Sequence, residues 1–223
     1  AGFDQVSLDL IYGTPGESMD DWRRSLEAVC AAAPDHISAY ALVIEAGTAM
    51  ARTVARGELE PVDEDRQADF YLIAEQVLAE ADYHNYEVSN WSRDLASRAR
   101  HNLAYWQGAN WWGLGPGAHS HVGGVRWWNV KHPARYSGAL ASGRSPAQAR
   151  ETLDAEARRI ERVLPELRLA DGLPVEVLTE TARPRPPGFA DASLLCVDQD
   201  RIRLTLRGRL LADAVIRDLL DWT

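Results

Sequence analysis

Cysteine is nearly absent from this chain of 223 residues: Cys30 and Cys196 lie far apart and form neither a disulfide framework nor a spaced pair of metal ligands. Lysine is rarer still, with Lys131 alone, so almost every base is an arginine. Acids outnumber bases and the formal charge is −9, which sets the chain against nucleic acid as its main partner. No run approaches the roughly 18 apolar residues of a membrane span, and the first residues lack the charged-then-apolar order of a signal peptide. The reading is a cytoplasmic protein without a transmembrane segment. A nucleophile elbow, a P-loop and the strand–GxGxxG–helix context of a dinucleotide site are also missing. The chain starts at Ala1 rather than Met and enters a strand within five residues, so it is expected to be part of something longer.

What is present reads first as α/β. "VSLDLIY" predicts a buried strand over 6–12, followed by a Gly/Pro turn and a helix to about Ala33, capped by Ser18 with Asp21 three residues on. "HISAYAL" is a second apolar strand, giving a right-handed βαβ unit. Apolar spacing predicts a helix over 64–81, and "HNYEVSNWS" the next strand over 84–92. Pro133 opens a helix ending near Gly143. From Glu151 the texture changes: a helix over 151–164, a helix from about Leu173 to Thr181, the link "RPRPPG", a hairpin "LLCVDQDRIRL" and a final helix over 205–220. That order suggests a winged helix. The acids Glu176, Glu180 and Asp191 stand where a recognition helix would meet DNA, which favours a structural cap.

Chemistry-bearing residues concentrate in "RHNLAYWQGANWWGLGPGAHSH", 100–121, which holds three of the six histidines. Asp9 interrupts an apolar strand near its C-terminal end. A carboxylate in a core strand is costly unless paired, so Asp9 is a candidate ligand contact or a partner for an arginine. Gly113, Gly115 and Gly117 let the backbone approach something closely. His101 and Tyr105 share one face if helical, with Trp106 beside them, and would either grip a flat ligand or pack as core. Arg126, Trp127, Trp128 and Lys131 add interleaved cations and aromatics, suited to a planar anion such as a nucleotide or a porphyrin.

"SLDLIYGTPGES", "HISAYALVIEAGT", "YEVSNWS", "RHNLAYWQGANWWGLGPGAHSH", "WWNVKHPARY" and "LTLRGRLLADAVI", in that order, closely resemble the radical SAM proteins of the HemW type, heme chaperones related to oxygen-independent coproporphyrinogen III oxidase. The resemblance implies the second half of an incomplete TIM-like (β/α)6 radical SAM barrel over 1–145, followed by a small α+β, winged-helix-like C-terminal domain over 146–223. It implies S-adenosylmethionine contacts at Asp9, Val43 and His119. It also implies a [4Fe-4S] cluster whose CxxxCxxC ligands are absent from this chain. "HNLAYW" matches the HNxxYW motif associated with heme, making His101 the candidate iron ligand and Tyr105 and Trp106 its lining. The implied function is delivery of heme to acceptor proteins, respiratory enzymes at the membrane. The alternative is oxidative decarboxylation of coproporphyrinogen III.

Overall fold

Alternation decides the first strand. In the computed structural model, which describes residues 2–61, 63–178, 193–198 and 200–221, β1 (Ser7–Tyr12) turns Leu8, Leu10 and Tyr12 to the core and leaves Ser7, Asp9 and Ile11 on the other face. The chain divides into two units, Ala1–Ala99 and Arg100–Thr223.

In the first unit β1 runs parallel to β2 (His36–Ala41), with α1 (Met19–Ala32) as the crossover. The α1 start is set by a capping box: Ser18 Oγ accepts from Asp21 N–H, and the Asp21 carboxylate accepts from Ser18 N–H. Helix α2 (Ala49–Ala55) lies in the connection to α3 (Glu64–Glu80), which Asp63 caps. One strand was expected over 84–92, but the structure has two, β3 (His84–Glu87) and β4 (Asn90–Ser92), joined as a hairpin. Its turn is made by side chains, with Ser89 N–H donating to Glu87 Oε2 and Asn85 Nδ2 to the Glu87 carbonyl. The sheet order is β1-β2-β4-β3, and β4 pairs antiparallel with β2. Helices α1 and α3 seal one face with Trp22, Leu26, Phe70 and Leu78 against Ile37 and Trp91. Trp22 is fully buried and its indole N–H donates 2.9 Å to the Phe70 carbonyl, so its polar handle is satisfied inside the core.

The second unit opens with α4 (Arg100–Trp106) and a three-stranded antiparallel sheet ordered β5 (His119–Val122), β6 (Val125–Asn129), β7 (Ala147–Thr152). Between β6 and β7 stands α5 (Pro133–Ala141), with Pro133 at its first turn. Residues 147–152 are strand where a helix from 151 was expected. Helix α6 (Ala155–Glu166) begins only where Asp154 accepts from Ala157 N–H, and it carries Pro165 in its last turn. Strand β7 lies beyond the expected boundary at 145 and pairs with β6 before it. The helix expected from Leu173 is instead a short strand, β8 (Leu173–Pro174), and a 3-10 turn over Val175–Val177; the remainder of that expectation and the link "RPRPPG" lie outside the described residues. The hairpin forms from β9 (Leu195–Asp198) and β10 (Arg201–Leu204). The final helix is two, α7 (Leu206–Leu210) and α8 (Ala212–Asp221). Val163, Leu167, Leu173, Ile202, Ile216 and Leu219 close a second core.

Candidate functional site

The face of the first sheet away from α1 and α3 is polar. Register places Ser7 beside His36 and Asp9 beside Ser38 across β1 and β2, then His36 beside Ser92 and Ser38 beside Asn90 across β2 and β4. Asp9 is exposed at the sheet surface, so the cost expected for a carboxylate in a core strand does not arise. Its row continues through Ser38 and Asn90, both buried; Asn90 Nδ2 donates to Glu87 Oε1, while Asn90 Oδ1 is shielded and has no hydrogen-bond partner among the described residues. The exposed Asp9 carboxylate suits ligand ammonium or hydroxyl donors. Val43 is exposed and follows the end of β2.

The adjoining row was not read from sequence. His36 is buried, with Nδ1 2.8 Å from Ser7 Oγ and Nε2 2.7 Å from the Tyr86 hydroxyl. Tyr86 Oη accepts from Ala99 N–H at 3.1 Å. Desolvation lowers the His36 pKa, partly opposed by the Asp9 charge, and burial pushes the Tyr86 hydroxyl up to about 12. These directions favour a neutral imidazole accepting from Tyr86 O–H and donating to Ser7. The signal was available in "HISAYA": His36, Ser38 and Tyr40 alternate with Ile37, Ala39 and Ala41, the period of a strand with two unlike faces.

In the second unit α4 does bring His101 and Tyr105 together, their rings edge to face at 5.0 Å. Both are exposed and Trp106 is half-buried. The contact extends further than the motif: Tyr105 meets Trp111 at 5.1 Å, and Trp111 meets His121 at 5.0 Å. Four rings therefore run from solvent into the unit. The glycine-rich loop between Trp111 and His121 approaches its own chain: a Cβ at Gly113 would run into the His119 carbonyl, and Asn129 Nδ2 donates to the Gly115 carbonyl at 3.0 Å. His119 is exposed and stacks on Trp128 at 5.7 Å, while Trp112 meets Trp127 at 4.9 Å. Arg126 is committed to two carboxylates, Glu151 at 3.1 Å and Glu161 at 2.6 Å.

Asp9 and Val43 thus belong to the first unit, and His101, Tyr105, Trp106 and His119 to the second. The two cysteines do not fit an iron–sulfur cluster. Cys30 is half-buried in α1, with its thiol pushed up by burial, and Cys196 is exposed on β9 in the other unit. Among the described residues no three His, Cys, Asp or Glu side chains converge on a common point, and no described helix is long and apolar enough to cross a membrane.

No family model matches the chain. It is 52% identical over 219 residues to heme chaperone HemW of Mycobacterium tuberculosis (strain H37Rv), covering 98% of this chain and 56% of that protein. It is 27% identical over 222 residues to heme chaperone HemW of Bacillus subtilis (strain 168), covering 96% and 58%. Over 115 residues it is 40% identical to radical S-adenosyl methionine domain-containing protein 1, mitochondrial, of Danio rerio, covering 52% and 26%. Its fold matches the solved structure of coproporphyrinogen III oxidase (HemN) from Escherichia coli, described as a radical SAM enzyme, with a TM-score of 0.74 and 20% identity, covering 99% of this chain and 55% of that one. The chain spans about half the length of the two HemW relatives.

Proposed function

Because the chain belongs to the HemW-type family of radical SAM proteins, about half of whose length it spans, we propose that it carries the heme-holding part of a heme chaperone. The observation that carries this reading is the edge-to-face pair His101–Tyr105 on α4, exposed and continued by Trp111. An imidazole beside aromatic rings supplies an iron ligand and apolar surface, the two things a metalloporphyrin takes from a protein. In this reading His101 ligates the iron and Tyr105 and Trp106 line the macrocycle.

The family also implies S-adenosylmethionine and a [4Fe-4S] cluster. In the full-length protein the cluster belongs on sequence other than this chain's cysteines. Asp9, Val43 and His119 take S-adenosylmethionine, the exposed Asp9 carboxylate supporting the first of these by offering an acceptor for its ammonium or hydroxyl groups. The bound cofactor would supply a sulfonium for cleavage, while this chain's residues hold and orient it. Residues 1–145 then serve as barrel and 146–223 as the C-terminal domain of a cytoplasmic carrier that passes heme to acceptors, respiratory enzymes at the membrane.

A heme titration followed at the Soret band, beside His101→Ala, tests the reading. Saturable binding weakened by the variant is expected; no saturable binding, or binding indifferent to His101, overturns it. The fold match to coproporphyrinogen III oxidase favours a second reading, oxidative decarboxylation by the full-length protein. Formation of protoporphyrinogen from coproporphyrinogen III by that protein, with its cluster reconstituted, would put it first.

A further inference from the structure

The ring series beginning at His101 ends at a cavity of about 640 Å³ within the second unit. Tyr105 and Trp111 line it on one side with His121, and α6 lines the other with Arg158 and Arg162. Its volume falls in the range of small-molecule and cofactor pockets, roughly 300–1,000 Å³.

The cations of this cavity divide unequally. Arg126 is held by Glu151 and Glu161, and Arg162 makes two bonds to the Glu166 carboxylate at 2.8 and 3.2 Å. Arg158 has no carboxylate among the described residues: its Nε donates to the Asp154 carbonyl at 3.3 Å, and its side chain lies over Gly124, where a Cβ would come within 3.1 Å of the guanidinium.

Aromatic walls and one uncommitted guanidinium match a planar ligand that carries carboxylates at its edge. We infer that this cavity seats the carboxylate edge of the porphyrin, with Arg158 of α6 pairing a propionate. The inference rests on the heme reading above and adds to it: α6 contributes to heme retention, from a helix outside the HNxxYW motif.

The test is heme titration of the full chain and of Arg158→Glu and His101→Ala, repeated with heme dimethyl ester, whose carboxylates are blocked. Arg158 is exposed, so its substitution leaves the cores untouched; circular dichroism of each variant checks this. Arg158→Glu is expected to weaken heme about tenfold or more, the scale of one charge-assisted hydrogen bond, and to leave the diester unaffected. Wild-type affinity for heme in Arg158→Glu, with His101→Ala still weakening heme, would overturn the inference and leave the heme reading standing. Absence of saturable binding by the wild-type chain would overturn both.

Discussion

Trp111 and His121 are joined twice: each backbone N–H donates to the other's carbonyl, at 2.9 and 3.0 Å, and the two rings meet edge to face at 5.0 Å. This clasp closes the glycine-rich loop on itself and leaves Gly113 pressed against the His119 carbonyl, with its N–H donating to Ser120 Oγ at 2.9 Å.

Gly113→Ala should therefore destabilise the second unit. The clash is with backbone, which cannot rotate away as a flexible side chain would. A loss of about 1–3 kcal/mol, the usual cost of overpacking, is expected in urea unfolding. A change below about 0.5 kcal/mol, the scatter of ordinary surface substitutions, would show that the loop shifts freely.

The second prediction concerns pH. Burial lowers the folded His36 pKa below its ordinary 6.5, so just below 6.5 the unfolded chain binds more protons than the folded one. The stability from a neutral His36 is fully present above the unfolded value and is lost as pH falls from 6.5 through the folded value. The melting temperature of the first unit should drop between about pH 7 and pH 5.5, a range above most carboxylate titration. His36→Gln should flatten that drop; an equal drop in the variant would assign it to another group.

Much of the first unit was legible because each of its signals is local. Ser18 and Asp21 announce a helix start three residues apart, and α1 begins where they place it. The β3–β4 hairpin was not legible, because its turn is built by Glu87 and Asn85 side chains rather than by glycine or proline. Strand β7 is exposed at every position and shows no alternation to read. At the candidate site the four-residue spacing of His101 and Tyr105 foretold their contact. The cavity beyond them could not be read, since His121 and Arg158 meet it only through the packing of a hairpin against α6.

Ser18→Ala tests the legible part directly. It removes the acceptor for Asp21 N–H and should cost about 1 kcal/mol of first-unit stability. Ser18→Asp, which restores an acceptor at the cap, should recover most of it; failure to recover would mean that the hydroxyl serves something other than the helix end.

Anaerobic reconstitution of this chain with iron and sulfide is expected to yield no [4Fe-4S] absorption, since its two cysteines sit in separate units. Treatment with reductant and S-adenosylmethionine should yield no 5′-deoxyadenosine. A cluster retained through gel filtration would refute this and require ligands other than cysteine.

Arg126 has a consequence for the medium around the protein. One guanidinium stands between two carboxylates, from β7 and from α6, so the cluster carries a surplus negative charge and ties sheet to helix at that point. All three groups are partly open to solvent, and salt weakens such contacts over a screening length of about 8 Å at physiological strength. The hold of this ion cluster on α6 is consequently expected to weaken as ionic strength rises.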